Sequence, residues 1–105
     1  MSNSVSNTNT PREIVSGYAL RILSKLDCKS ILQDAVEELI ERADSKGLLT
    51  TGNPKHLAGG IVYIAGILEE ERMTLDTIGG VIGASGNTVG RYYLAIARGL
   101  GYSER

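Results

Sequence analysis

The chain has no tryptophan, no phenylalanine, one cysteine, one histidine and two prolines in 105 residues. Each scarcity excludes something. A lone Cys28 cannot close an internal disulfide and lacks partners for a zinc site. A plain thiol in a reducing compartment is therefore preferred over a nucleophile. The single histidine, His56, stands beside Lys55 without an evident Ser, Cys or carboxylate partner, so a surface or cap-region role outweighs a catalytic one. No HExxH, CxxC or P-loop pattern occurs. Gly83–Gly86 is not a dinucleotide fingerprint, because no strand precedes it and the GxGxxG spacing is missing. The N-terminus lacks a basic region followed by an apolar run, so no signal peptide is visible. The longest nearly apolar stretch, residues 57–68, is 12 residues long and too short to span a bilayer. Together these absences predict a cytoplasmic chain that is not an enzyme, needs no metal or cofactor and does not engage a membrane.

What remains is an ordinary globular composition, 42% hydrophobic and 22% charged. The length fits one domain with a single core that needs no metal or disulfide. Without Trp or Phe, that core is built from Leu, Ile, Val, Ala and Tyr. The net charge of −1 counts against strong autonomous DNA binding, because phosphate neutralisation supplies most non-specific affinity. The charge is unevenly placed, however. Residues 1–71 hold seven Lys/Arg and ten Asp/Glu, whereas residues 72–105 hold four Arg and two acids.

Residues 1–10 are rich in Ser, Asn and Thr and read as a flexible arm, since they bury too little to offset their ordering entropy. The folded domain is expected over residues 11–102. A first helix is predicted over residues 11–26, with Ile14, Tyr18, Ile22 and Leu26 recurring every four positions and Val15 and Leu23 widening the stripe. A second helix is predicted over residues 30–46, with Ser30 as N-cap. Its apolar face is Leu32, Val36, Leu39, Ile40 and Ala43. Its other face carries Asp34, Glu37, Glu38, Glu41 and Asp44, which is read as an ordinary solvated surface in preference to an acidic docking site. Lys46-Gly47 supplies a terminating cation and a left-handed cap.

A third helix is predicted over residues 54–70. It is apolar or small almost all the way round, so it should be buried on every side at the centre of a bundle. Its glycines cost roughly 1 kcal/mol each against Ala at solvated sites, and close approach by neighbouring helices is the compensation. Residues 74–94, TLDTIGGVIGASGNTVGRYYL, then read as two helices joined by a tight turn. Thr74 caps the fourth helix over residues 75–82. Gly83-Ala84-Ser85 is the turn, with Gly83 free to take positive φ. Ser85 or Asn87 caps the fifth helix, which runs to about residue 99, with Val89, Tyr93, Ile96 and Leu100 facing inward.

Such a helix-turn-helix can lay its second helix in the DNA major groove. Ser85, Asn87, Thr88 and Arg91 occupy its leading end. Asn pairs with adenine edges and Arg with guanine edges through two hydrogen bonds each. Ser85 and Thr88 equally suit phosphates, which set register without reading sequence. Arg72, Thr74 and Lys55 are lesser candidates for phosphate contact. The bland alternative is that all of these are capping and surface residues of two ordinary helices.

Several stretches carry a family resemblance: Pro54-Lys55-His56-Leu57-Ala58, Tyr63-Ile64-Ala65, Leu68-Glu69-Glu70-Glu71-Arg72-Met73-Thr74, then Ile78, Gly83, Thr88-Val89 and Tyr93. In this order and spacing they resemble the cyclin-fold repeat of archaeal transcription initiation factor B, the relative of eukaryotic factor IIB. The second, C-terminal repeat is the better match, particularly over residues 68–74. The resemblance implies an all-α, five-helix cyclin-like bundle. It implies promoter DNA beside the TATA box as ligand, with the TATA-binding protein and RNA polymerase as partners in the initiation complex. The competing expectation is a cyclin-box protein-interaction module without direct DNA readout. Two departures stand out. The family usually has Val or a similar residue where Asn87 stands, and a base-reading Arg where Gly90 stands. Arg91, one residue on, points about 100° away from that position on a helix.

Overall fold

Thr10 starts the first helix with a reciprocal cap. Its hydroxyl accepts the Glu13 amide at 3.2 Å while its own amide donates to Glu13 Oε1 at 3.1 Å. The computed structural model describes residues 10–28 and 30–102. Five α-helices follow one another: α1 (Pro11–Lys25), α2 (Ser30–Ser45), α3 (Pro54–Leu68), α4 (Leu75–Ile82) and α5 (Gly86–Leu100). A short 3-10 turn, Leu48–Thr50, lies between α2 and α3, and the described residues contain no strand. The arm expected over residues 1–10 falls outside the described residues except for Thr10, which belongs to the α1 cap.

The third helix is central, as its composition predicts. It packs against all four other helices. Leu57, Ala58, Ile61, Val62, Ile64 and Ala65 are buried, as are Gly59, Gly60 and Gly66. Full burial of each large aliphatic side chain contributes roughly 1.5–3 kcal/mol, so this segment dominates the core. The closest approach is to α5: a Cβ added at Gly60 would sit 2.9 Å from the Tyr93 backbone nitrogen. One turn on, Tyr63 meets Tyr93 edge to face, with ring centroids 4.7 Å apart.

Two expectations need correction. The buried row of α1 is Val15, Ala19, Ile22 and Leu23. Ile14, Tyr18 and Leu26 are only half-buried. A strict four-residue spacing advances 400° per step, so it winds off one face by 40° each time, and Ala19 takes a fully buried place. The third helix stops at Leu68, with Glu69 as its C-cap and Glu70 in the left-handed region at φ 58°, so the predicted end at residue 70 is too late. The segment after Gly47 contains the 3-10 turn, because Leu49 is buried and Leu48 lies against Gly99. Gly47 itself has the left-handed conformation expected of it, φ 73°. Near the C-terminus, Arg42 donates to the Tyr102 hydroxyl at 2.7 Å, and its guanidinium stands 5.3 Å from that ring's centre. Tyr102 is therefore docked on α2.

Cys28 is half-buried, with its Sγ 3.8 Å from Met73 Sδ. Burial pushes its thiol pKa up, and the Glu71 and Asp27 carboxylates add to the shift. Because the thiolate is the reactive form, iodoacetamide should alkylate folded Cys28 more slowly at about pH 8 than the denatured chain. The folded-state rate profile should lie on the alkaline side of the unfolded one. Since the folded pKa is the higher one, the linked stability is present below the unfolded pKa and is lost as pH rises through the folded one. Equal rates in the two states would contradict this environment.

Candidate nucleic-acid interface

The helix-turn-helix is assembled from local rules. The Thr74 hydroxyl accepts the Thr77 amide at 3.0 Å and lies 2.7 Å from the Thr77 hydroxyl, closing the start of α4. Gly83 ends α4 in the left-handed region, φ 73°. The Ala84 amide then donates back to the Gly79 carbonyl at 2.9 Å. Ser85 is extended and caps α5, its hydroxyl accepting the Thr88 amide at 3.2 Å. Of the two caps considered from sequence, Ser85 is the one used.

The crossing of α4 and α5 needs small residues. A Cβ at Gly79 would press on the Ala84 carbonyl oxygen, and one at Gly86 would press on Asp76 Oδ1. Ile78, Ile82, Val89 and Ile96 fill the interior below. The opposite face of α5 is open: Asn87, Arg91, Ala95 and Arg98 are exposed at helical spacing. Ser85 is also exposed, whereas Gly86 between Ser85 and Asn87 is buried against Asp76, so the leading end of the helix is open on one side.

Five of the seven candidates fall into two groups around this stripe. Arg72, Thr74 and Asn87 line one groove, together with Tyr63, Leu75 and Asp76. Arg91 lines a second recess with Thr51, Leu57, Tyr92 and Ala95. Lys55 belongs with the second group through its helix. Asn53, which caps α3 by accepting the Lys55 amide at 2.9 Å, donates its own amide to the Tyr92 hydroxyl at 3.2 Å. His56 meets Tyr92 edge to face at 5.2 Å, so it has a packing contact there. Ser85 and Thr88 stand apart from both groups. Their hydroxyls are 3.1 Å from each other and hold the cap, and Thr88 is half-buried.

Electrostatics separates the two flanks. Arg72 shares its groove with the Asp76 carboxylate, which offsets its attraction for a phosphate. The recess beside Arg91 is lined by no acid. Gly90 is half-buried, and a Cβ there would be 3.3 Å from Leu75 Cδ1, so this position faces the α4 side of α5. Arg98 and Thr51, which sequence reasoning did not single out, lie on this side of α5 in the structure. Arg98 was detectable, since it follows Arg91 by seven residues on one helix face. Thr51 was not, because only tertiary folding brings it to α5.

Among the described residues, no group of three His, Cys, Asp or Glu is placed to hold a metal ion. No helix there is long and apolar enough to cross a membrane.

No family model matches the chain. Curated relatives do. It is 35% identical over 86 residues to transcription initiation factor IIB of Methanopyrus kandleri, covering 82% of this chain and 28% of that protein. It is 31% identical over 83 residues to the factor of the same name from Saccharolobus shibatae, covering 79% of this chain and 27% of that protein. A third, from Aeropyrum pernix, is 29% identical over 98 residues, covering 93% of this chain and 30% of that protein. The chain thus spans less than a third of the length of the relatives it matches.

Proposed function

The chain is transcription initiation factor IIB-like, and from that premise we propose that it is a general initiation factor unit that binds promoter DNA beside the TATA box, together with the TATA-binding protein. Through that complex it helps recruit RNA polymerase. The observation that carries this reading is the open stripe of α5, led by Asn87 and Arg91, on a helix-turn-helix whose leading end exposes Ser85 and Asn87. Arg91 and Asn87 are the base-reading candidates. Arg72 and Thr74 on one flank, and Lys55 on the other, are the candidates for phosphate contact. Ser85 and Thr88 support the reading mainly by holding the start of α5, with their remaining hydrogen-bonding capacity turned to the backbone of the DNA.

The balance of charges sets the strength. A net charge of −1 leaves little non-specific attraction, so binding by the chain alone is weak and improves when a partner holds it on the duplex. The departures at Asn87 and Gly90 mean that any base preference centres on Asn87 and Arg91, which differs from the usual pattern of the family.

The test is a titration of promoter fragments with and without TATA-binding protein, across a salt series. Affinity should fall steeply as salt rises. Arg91→Ala should weaken binding by about 1–3 kcal/mol if the guanidinium reads a base. An unchanged gel-shift midpoint would remove Arg91 from the interface. Absence of DNA binding at low salt, with the TATA-binding protein present, would overturn the whole reading.

A further inference from the structure

We propose that a second surface, between α2 and the C-terminal end of α3, docks a basic protein segment that carries a bulky aliphatic side chain. This inference is independent of DNA binding, because α2 lines neither recess beside α5. Charge on α2 by itself needs only solvation as its explanation. The structure adds something that solvation does not explain, an apolar recess between the carboxylates. Ala35, Leu39, Leu68 and Tyr102 form its walls, with Glu38 and Glu69 at its edge. Leu68 is 46% exposed. Ile31, one turn before Ala35 on the same face of α2, is 54% exposed. These are two of the three large hydrophobic side chains exposed among the described residues.

The charges select the occupant. Arg42 lies at the recess but is engaged with the Tyr102 hydroxyl and ring. Glu38 and Glu69 form no ion pair among the described residues, and Glu37 extends the negative field along α2, whereas Glu41 faces Arg12 at 4.0 Å. Nucleic acid is repelled by such a field. A second copy docked through the same face about a two-fold axis would bring these carboxylates against each other. A Lys/Arg-bearing amphipathic helix satisfies both features: its aliphatic side chain covers Leu68 and the recess, and its cations meet Glu38 and Glu69. Apolar burial supplies the affinity, and the carboxylates supply the selection.

The probe is a short amphipathic helical peptide of Leu and Lys, titrated into the isotopically labelled full chain, with a Leu/Glu peptide of the same pattern as control. Amide shifts should concentrate in α2 and around Leu68–Tyr102 contacts, with the Leu/Glu peptide producing none. Leu68→Ser and Glu38→Lys should each weaken the Leu/Lys peptide about tenfold. Asp44→Lys makes the same charge change outside the recess and should alter affinity less than about twofold. Leu68 is exposed, so its substitution leaves the core intact. The proposal is overturned if Asp44→Lys weakens binding as much as Glu38→Lys, because the attraction is then bulk charge. It is equally overturned if the chain self-associates through this surface without peptide.

Discussion

An Ile61→Ala protein is expected to lose about 2–5 kcal/mol of folding stability, the usual cost of emptying a fully buried aliphatic site. Ile61 has no exposed surface and lies midway along α3, the helix that every other helix touches. Removing its outer carbons forfeits their transfer free energy. It also leaves a cavity, because the four surrounding helices cannot all close on the same gap. Alanine's better helix propensity returns only a few tenths of a kcal/mol. Domains of this size are stable by about 5–15 kcal/mol, so the loss is a large share of the total. Urea unfolding should show the midpoint falling with an unchanged slope, since native and unfolded surfaces scarcely differ. Ile31→Ala is the matched control. The same side chain is 54% exposed there, and its loss should change stability by less than about 0.5 kcal/mol. Similar effects at the two positions would mean that α3 is not the centre of the bundle.

The adjacent glycines of α4 should respond to alanine with opposite signs. At Gly79 the new methyl meets the Ala84 carbonyl oxygen. That atom is backbone, so it cannot swing aside as a flexible side chain would. The turn through Gly83 has to shift, at a cost of about 1–3 kcal/mol or more, which exceeds the roughly 1 kcal/mol that alanine contributes to helix propensity. At Gly80 the methyl meets nothing within 4 Å and the site is exposed, so the propensity gain of about 1 kcal/mol stands alone. With about 4–8 °C per kcal/mol for a domain near this size, calorimetry should separate the two variants clearly. Gly79→Ala should also reduce DNA binding in the surviving folded fraction, because moving the turn re-aims α5. A Gly79→Ala protein as stable as the parent would show that α4 and α5 do not cross this closely.

The helix-turn-helix was legible in the sequence because its instructions are short-range. Thr74 and Ser85 each bond an amide three residues ahead, and Gly83 needs only its own freedom at positive φ. The character of α3 was legible because a segment without a polar face has no side to give to water. The stripe of α1 was misread because several apolar residues were available and the choice among them lay with α3. The docking of Tyr102 was missed for a related reason: Arg42, its partner, is 60 residues away in the chain.

The candidate interface divides along the same line. Asn87 and Arg91 share a face of one helix, so spacing alone places them together. Arg72 in one groove with Asp76, and His56 beside Tyr92, are products of packing. The Asn53–Tyr92 hydrogen bond that brings the start of α3 to α5 spans 39 residues. Caps and tight turns follow from hydrogen bonds and backbone angles within about four residues, so the primary structure alone determined them. Which charges share a groove, which glycines are close-approach points and which leucine stays in water were decided only by how the helices cross. Those crossings depend on the simultaneous fit of side chains from distant segments, and no local window of residues contains that information.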